Sequence, residues 1–224
     1  MIKNILNLGD AALYCDFGQD VNKEINSHVI RYFNKIQQLK IESIVNITPS
    51  YNKLIISFDL NKIRYNELKD LIEKIQVDDE DSLKKKVIEI PICCEKPYSL
   101  DFTRIEEKLR LDKKQILKNF FKKKYFCYMT GFIAGMPFLG DLEKNMRIER
   151  LETPRVKVPK GSIGITEQFA NIYTFESPGG WNIIGNTPIE VFDNLKENEP
   201  NLINPGDTVI FKEITKDQYL KYER

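Results

Sequence analysis

The residues best suited to chemistry lie between Gly131 and Asp193, a stretch with most of the chain's eleven glycines and its only tryptophan. Within it, Ser177-Pro178-Gly179-Gly180-Trp181 is the most distinctive run. Proline fixes φ and removes a donor, and the two glycines after it allow a tight turn. The bare amides of such a turn can face a ligand or an oxyanion, with Trp181 as an aromatic wall. The same five residues also suit a hairpin turn whose tryptophan packs into the core. Upstream, alternation along a strand places Arg155 and Lys157 on one face, with Lys160 close by. Cations beside glycine-rich turns can hold a carboxylate or phosphate, and they equally suit a solvated strand face. Gly161-Ser162-Ile163-Gly164 looks like a nucleophile elbow but lacks the glycine two places before the serine. Ser162 therefore reads as a turn or backbone-bonding residue.

Other chemistries lack their residues. The single histidine, His28, falls in a helical stretch beside apolar positions. That excludes a multi-histidine zinc site and argues against Ser-His-Asp or Cys-His catalysis. Cys15, Cys93, Cys94 and Cys127 match no CxxC spacing and read as reduced thiols, with Cys93 or Cys94 as the alternative for a reactive one. There is no GxxxxGK[ST] loop and no GxGxxG after a strand. No catalytic set and no metal site is evident, and nothing indicates biotin. A formal net charge of +1 gives no global field for nucleic acid or an anionic membrane. The N-terminus is too weakly apolar for a signal peptide and no run approaches a membrane span, so the expected compartment is the cytoplasm.

The elements that must position these residues fall into two parts. In the first, 11–17, 43–48, 53–59 and 86–92 read as strands, while 20–39 and 65–76 carry apolar residues at helical spacing. The order β-α-β-β-α-β is that of a ferredoxin-like split βαβ unit, with both helices on one face of an antiparallel sheet. Asp78–Asp81 followed by Lys84–Lys86 reads as a solvated connection. Helices are expected at 99–110, with Ser99 as N-cap, and at 113–122, where Lys122, Lys123 and Lys124 suit the negative end of the dipole. From Tyr125 onward, short β-rich runs (YFCYMTGF, VKVPKGSIGIT, ANIYTFES, WNIIGNTPIEVF, DTVIFKEI) alternate with Gly/Pro turns, which suggests a barrel or sandwich. The expectation is an α+β chain, with 1–90 as the ferredoxin-like domain and 91–224 as a β-barrel domain with a helical lead-in.

The same residues resemble a known family, the B subunit of bacterial 5-oxoprolinase (PxpB), also described as KipI or allophanate hydrolase subunit 1. The likeness runs from Leu8-Gly9-Asp10-Ala11-Ala12-Leu13 through Ile90-Pro91-Ile92 and Gly131-Phe132. It continues with Pro154-Arg155-Val156-Lys157-Val158-Pro159, Gly161-Ser162, Ile172-Tyr173 and Ser177–Trp181, then Ile184–Pro188 and Pro205-Gly206-Asp207. The resemblance implies a cyclophilin-like barrel in the second half. It also implies that the chain is not active alone, but acts with the C and A subunits to convert 5-oxo-L-proline to L-glutamate as ATP, carrying Mg2+, is hydrolysed. It points to Gly131, Phe132, Arg155, Gly161, Ser162, Gly179, Gly180 and Trp181 as substrate-binding positions. The alternatives are a KipI-like inhibitor of a sensor histidine kinase and a subunit of a urea- or allophanate-metabolising carboxyltransferase or amidase. The chain departs from the family pattern at Phe120, where histidine is common, at Ala134 and Met136 in the Gly-Phe loop, and at Glu167-Gln168-Phe169.

Overall fold

A computed structural model describes residues 1–78, 85–196 and 199–222, in two compact units that divide after Lys85. In the first, helix α1 (Lys23–Leu39) begins at Asn22, whose side chain accepts from the Ile25 amide at 2.9 Å and so satisfies an orphan donor. Its Val29, Tyr32 and Ile36 line one face and are buried with Leu13, Cys15, Leu54 and Ile56 of the sheet. Buried Asn26 donates from Nδ2 to the carbonyls of Ser50 and Tyr51 at 3.1 and 2.9 Å, tying the helix to a hairpin turn. His28 is half-buried on this helix. The sheet comprises β1 (Asn4–Asn7), β2 (Ala12–Asp16), β3 (Ile44–Pro49) and β4 (Lys53–Phe58) in the order β1-β2-β4-β3, all neighbours antiparallel. Because β4 lies between β2 and β3, the segment β2-α1-β3 is a split βαβ unit, and α2 (Tyr65–Glu73) adds buried Leu68 and Ile72 to the same core.

One strand differs from expectation. The place beside β2 that the sequence pattern gave to 86–92 is taken by β1, a short strand hidden in the sequence because Ile5 is its only buried residue. The 86–92 run is instead β5 (Val87–Cys93) of the second unit. It pairs in parallel with β13 (Thr208–Ile214) from Val87↔Thr208 to Cys93↔Ile214. Ile90 and Ile92 are fully buried in the second core, and that burial decides where the strand goes. The acidic–basic connection expected at 78–86 falls largely outside the described residues.

The second unit is a closed barrel of seven strands in the order β10-β7-β6-β13-β5-β12-β9. The remaining members are β6 (Lys124–Thr130), β7 (Pro137–Gly140), β9 (Ser162–Thr166), β10 (Phe169–Ile172) and β12 (Asn182–Asn186). The two-stranded ribbon β8 (Arg155–Val158) with β11 (Ser177–Gly179) is separate from the barrel sheet. Ile90, Ile163, Ile165, Ile172, Ile184 and Val209 fill the interior, and α3 (Phe102–Leu109) and α4 (Lys113–Phe121) close part of it. Phe120 of α4, at the position where the resembling family often carries histidine, stacks on Phe211 with centroids 5.0 Å apart. Its ring lies 5.1 Å from that of Tyr125, whose hydroxyl donates to the Phe120 carbonyl at 3.0 Å. Phe120 is therefore a core residue. Helix α3 starts at N-cap Asp101 rather than Ser99, because the Asp101 backbone and carboxylate are both bound to Ile183 of β12. Beyond β1, the described elements outside expectation include β7, a 3-10 turn at Lys144–Met146, strand β11, where Ser177-Pro178-Gly179 had read as a tight turn, and a C-terminal helix, α5 (Lys216–Tyr222).

Candidate functional site

The ribbon β8–β11 positions the residues singled out above. Gly179 faces Arg155 in register and Ser177 faces Val158, with an irregularity between them at Pro178, which cannot donate to the ladder. A β-carbon on Gly179 would lie 2.2 Å from Oη of Tyr173, so the backbone approaches that phenol as only glycine permits. Tyr173 is 1% exposed and packs with Met136, Val158 and Ile183. Burial raises the pKa of its hydroxyl, an effect opposed by the Asn171 side chain, the Trp181 backbone amide, and the guanidinium groups of Arg150 and Arg155. The Asn171 amide nitrogen stands by this hydroxyl without completing a hydrogen bond, while its Oδ1 accepts from Gly164 N at 3.0 Å.

Arg155 turns one amino group into a contact with Oδ1 of Asp101. Asp101 is 6% exposed, and its Oδ2 accepts from Ile183 N at 2.6 Å while its own amide donates to the Ile183 carbonyl at 3.0 Å. The carboxylate is thus fixed to the barrel wall and in turn fixes the guanidinium, the geometry a buried pair needs to offset desolvation. The other amino nitrogen, Nη1, is buried with no partner among the described residues. Lys157 behaves differently. It points to solvent and pairs with Glu176 at 2.8 Å, and Lys160 pairs with Glu190 at 2.6 Å, so Arg155 and Lys157 do not work as a pair.

Gly180 and Trp181 follow directly. Gly180 accepts from Leu151 N at 2.7 Å, and a β-carbon there would rest 3.4 Å from Nη2 of Arg150. Trp181 is 9% exposed with its ring set edge-on to Phe138 at 5.5 Å, so it forms a wall of the barrel end. Gly161 has φ +79, a left-handed conformation that favours glycine. Its amide donates to the Tyr173 carbonyl at 2.7 Å and its carbonyl accepts from Thr187 N at 2.9 Å. Ser162 is 2% exposed, and its carbonyl accepts from Tyr173 N at 2.9 Å. Gly161 and Ser162 therefore clamp the Tyr173 backbone. The loop carrying Gly131 and Phe132 closes through Gly131 N to Met136 O at 3.0 Å and is held by Thr174 Oγ1 donating to Ala134 O at 2.7 Å. Met136 reaches the Tyr173 cluster, whereas Phe132 is 69% exposed with φ +71.

The structure therefore gathers Arg155, Gly161, Ser162, Gly179, Gly180 and Trp181 around Tyr173, touches them with the Gly131 loop, and leaves Phe132 in solvent. Sequence reasoning missed Asp101, Arg150 and Asn171 and took Tyr173 as a strand residue; only the glycine clashes reveal it as the centre. No buried nucleophile–base pair lies here, and among the described residues no three His, Cys, Asp or Glu side chains gather as a metal set. Burial raises the thiol pKa of Cys93, Cys94 and Cys127, so neither Cys93 nor Cys94 is primed as a thiolate. An open groove of about 710 Å³ between α4 and β13 is lined by Lys114, Leu117, Lys118 and Phe211 and contains none of these site residues. No described helix is long and apolar enough to cross a membrane.

Residues 3–203 match the family described as carboxyltransferase domain, subdomain C and D. The 5-oxoprolinase B subunit of Bacillus subtilis (strain 168) is 28% identical, over 98% of this chain and 96% of its own length. The 5-oxoprolinase B subunit of Haemophilus influenzae is 30% identical, over 93% of this chain and 96% of its own. The crystal structure of TTHA0988 superposes with a TM-score of 0.81 at 27% identity, covering 91% of this chain; this chain spans only 40% of that one. The Kluyveromyces lactis urea amidolyase shares the fold, with a TM-score of 0.80 at 22% identity over 97% of this chain and 15% of its own.

Proposed function

The chain belongs to the carboxyltransferase subdomain C and D family, among the PxpB-type components of 5-oxoprolinase, and from that premise we propose that it is a non-autonomous subunit of an ATP-dependent 5-oxoprolinase. The complex would contain the C and A subunits, and its reaction would convert 5-oxo-L-proline to L-glutamate. A γ-lactam amide is a poor electrophile, and ATP, entering with Mg2+ as a co-substrate of the complex, supplies the activation of its oxygen. What this chain contributes is binding and orientation. The carrying observation is the guanidinium of Arg155, locked by buried Asp101 on the strand that faces Gly179 and still 29% exposed at its side chain. Such a fixed donor holds a substrate oxygen without reorganising when the reaction begins. Gly179 lets the backbone close onto the Tyr173 phenol, Gly180 leaves room for the Arg150 guanidinium, Trp181 and Phe138 supply an apolar wall, and Gly161 and Ser162 keep Tyr173 in place.

This site has one donor-rich wall and no general base, which suits a half-site completed by another polypeptide of the complex. Reconstitution with the C and A subunits, with and without ATP, tests the reading: glutamate release should need all three chains, the nucleotide and 5-oxoproline. A second reading, a subunit of a urea- or allophanate-metabolising carboxyltransferase or amidase, is favoured by the shared fold with urea amidolyase. It predicts turnover of urea or allophanate in place of 5-oxoproline in the same assay.

A further inference from the structure

Arg155 is neutralised by Asp101, so it offers direction but little net charge to an anionic ligand. A carboxylate taken out of water also needs an uncompensated cation. Arg150 meets that requirement. Its Nη2 and Nε lie 3.4 and 3.5 Å from where a Gly180 β-carbon would stand, so the guanidinium fork spreads along the bare glycine. Arg155 faces Gly179 across the ribbon while Arg150 lies against the next residue, Gly180, and both charges act on the Tyr173 hydroxyl. The neighbouring carboxylate, Glu149, is already engaged by Lys108 at 2.7 Å and Arg104 at 3.4 Å. Among the described residues, no carboxylate pairs with Arg150.

We propose that Arg150 is the specificity-determining cation of this site and takes the carboxylate of a small cyclic-amide acid, leaving the lactam end to the partly exposed guanidinium of Arg155. The inference rests on the proposed 5-oxoprolinase reading and assigns the acid end of the substrate. Arg155 across from Gly179 and Arg150 beside Gly180 offer one guanidinium for each oxygen-bearing end of such a molecule, and planar bidentate contact to a carboxylate is what Arg supplies and Lys does not.

The test uses the reconstituted complex and two ligands, 5-oxoproline as substrate and carboxylate-free 2-pyrrolidinone as competitor. In Arg150→Gln, KM for 5-oxoproline should rise about 10- to 100-fold, the usual worth of a charge-assisted contact. The inhibition constant of 2-pyrrolidinone should stay within about 2-fold of wild type, and kcat should change far less than KM. Arg150→Lys should recover part of the loss. Because Arg150 is exposed, both variants should melt with wild type, which separates binding from folding. An active wild-type complex whose Arg150→Gln variant keeps its KM, or loses affinity for both ligands alike, overturns the assignment of Arg150. A wild-type complex with no 5-oxoproline turnover overturns the function on which it rests.

Discussion

Gly179 and Gly180 are adjacent, yet alanine should be costly at the first and nearly neutral at the second. At Gly179 the new methyl would stand 2.2 Å from Oη, 2.8 Å from Cζ and 2.9 Å from Cε1 of Tyr173, about 1 Å inside ordinary contact. The ring cannot retreat. It is 1% exposed, backed by Met136, Val158 and Ile183, with its backbone clamped by Gly161 and Ser162. Overpacking of this kind costs about 1–3 kcal/mol, and the upper half of that range applies where neither side can yield. For a chain of this size that is a fall of about 4–12 °C in the melting temperature of the barrel unit. At Gly180 the nearest atoms are the end of the Arg150 side chain and Pro154 Cγ, at 3.4–3.5 Å, which is ordinary contact. Gly180→Ala should therefore shift stability by less than about 0.5 kcal/mol. Trp181 is the only tryptophan and belongs to the barrel unit, so its fluorescence reports unfolding of that unit alone. Urea and thermal unfolding followed at Trp181 would compare the two variants. If Gly179→Ala unfolds with wild type, or both alanines cost the same, the packing of Tyr173 on Gly179 is not as described.

Three further outcomes follow from the same geometry. Asp101→Ala strips a largely buried guanidinium of its partner and leaves the Ile183 amide without its acceptor; it should destabilise the barrel by about 3–5 kcal/mol in urea melts. In the first unit, the Lys53 ammonium, 2.7 Å from Asp16, holds that carboxyl below its ordinary value. The pair's stabilisation is thus present above the unfolded carboxylate pKa of about 3.9 and lost as pH falls through the depressed folded value. Lys53→Met should cost under about 1 kcal/mol at pH 7 and almost nothing at the acid end of that window, measured by denaturant unfolding at both pH values. Burial pushes the Cys15 thiol up to about 12 and raises those of Cys93, Cys94 and Cys127. A thiol-reactive dye at pH 8 should accordingly label all four only after urea is added.

Much of the fold was legible because burial leaves a periodic trace. The helices at 23–39 and 65–73 and the strand at 53–58 bury one face each, and their apolar spacing says so, while the edge strand at 44–49 only half-buries Ile44 and Ile47. What was illegible was partnership between strands. The run at 87–93 looks the same whether it pairs with the first sheet or with the distant Thr208–Ile214, and Ile5 alone gave no sign that 4–7 forms an edge. At the site, residue types with unusual backbone demands, such as Gly161 and Gly179, stood out. Tyr173, Asp101 and Arg150 did not, because their roles depend on contacts across the barrel end: phenol on glycine, carboxylate on a remote amide, guanidinium over a turn. Phe132 was drawn in by its place next to Gly131, but the loop that buries Met136 turns Phe132 outward.

The most direct measurement is glutamate release from 5-oxoproline by this chain combined with the C and A subunits and ATP, set beside a mixture carrying Arg155→Gln and an affinity capture from the native cell. The account predicts turnover that needs all three chains and ATP, falls at least about 10-fold with Arg155→Gln, the loss of one charge-assisted contact, and accompanies co-capture of a partner from the same complex. Absence of turnover with correctly folded chains, joined to capture of a sensor histidine kinase in their place, would contradict it and make the chain a regulator.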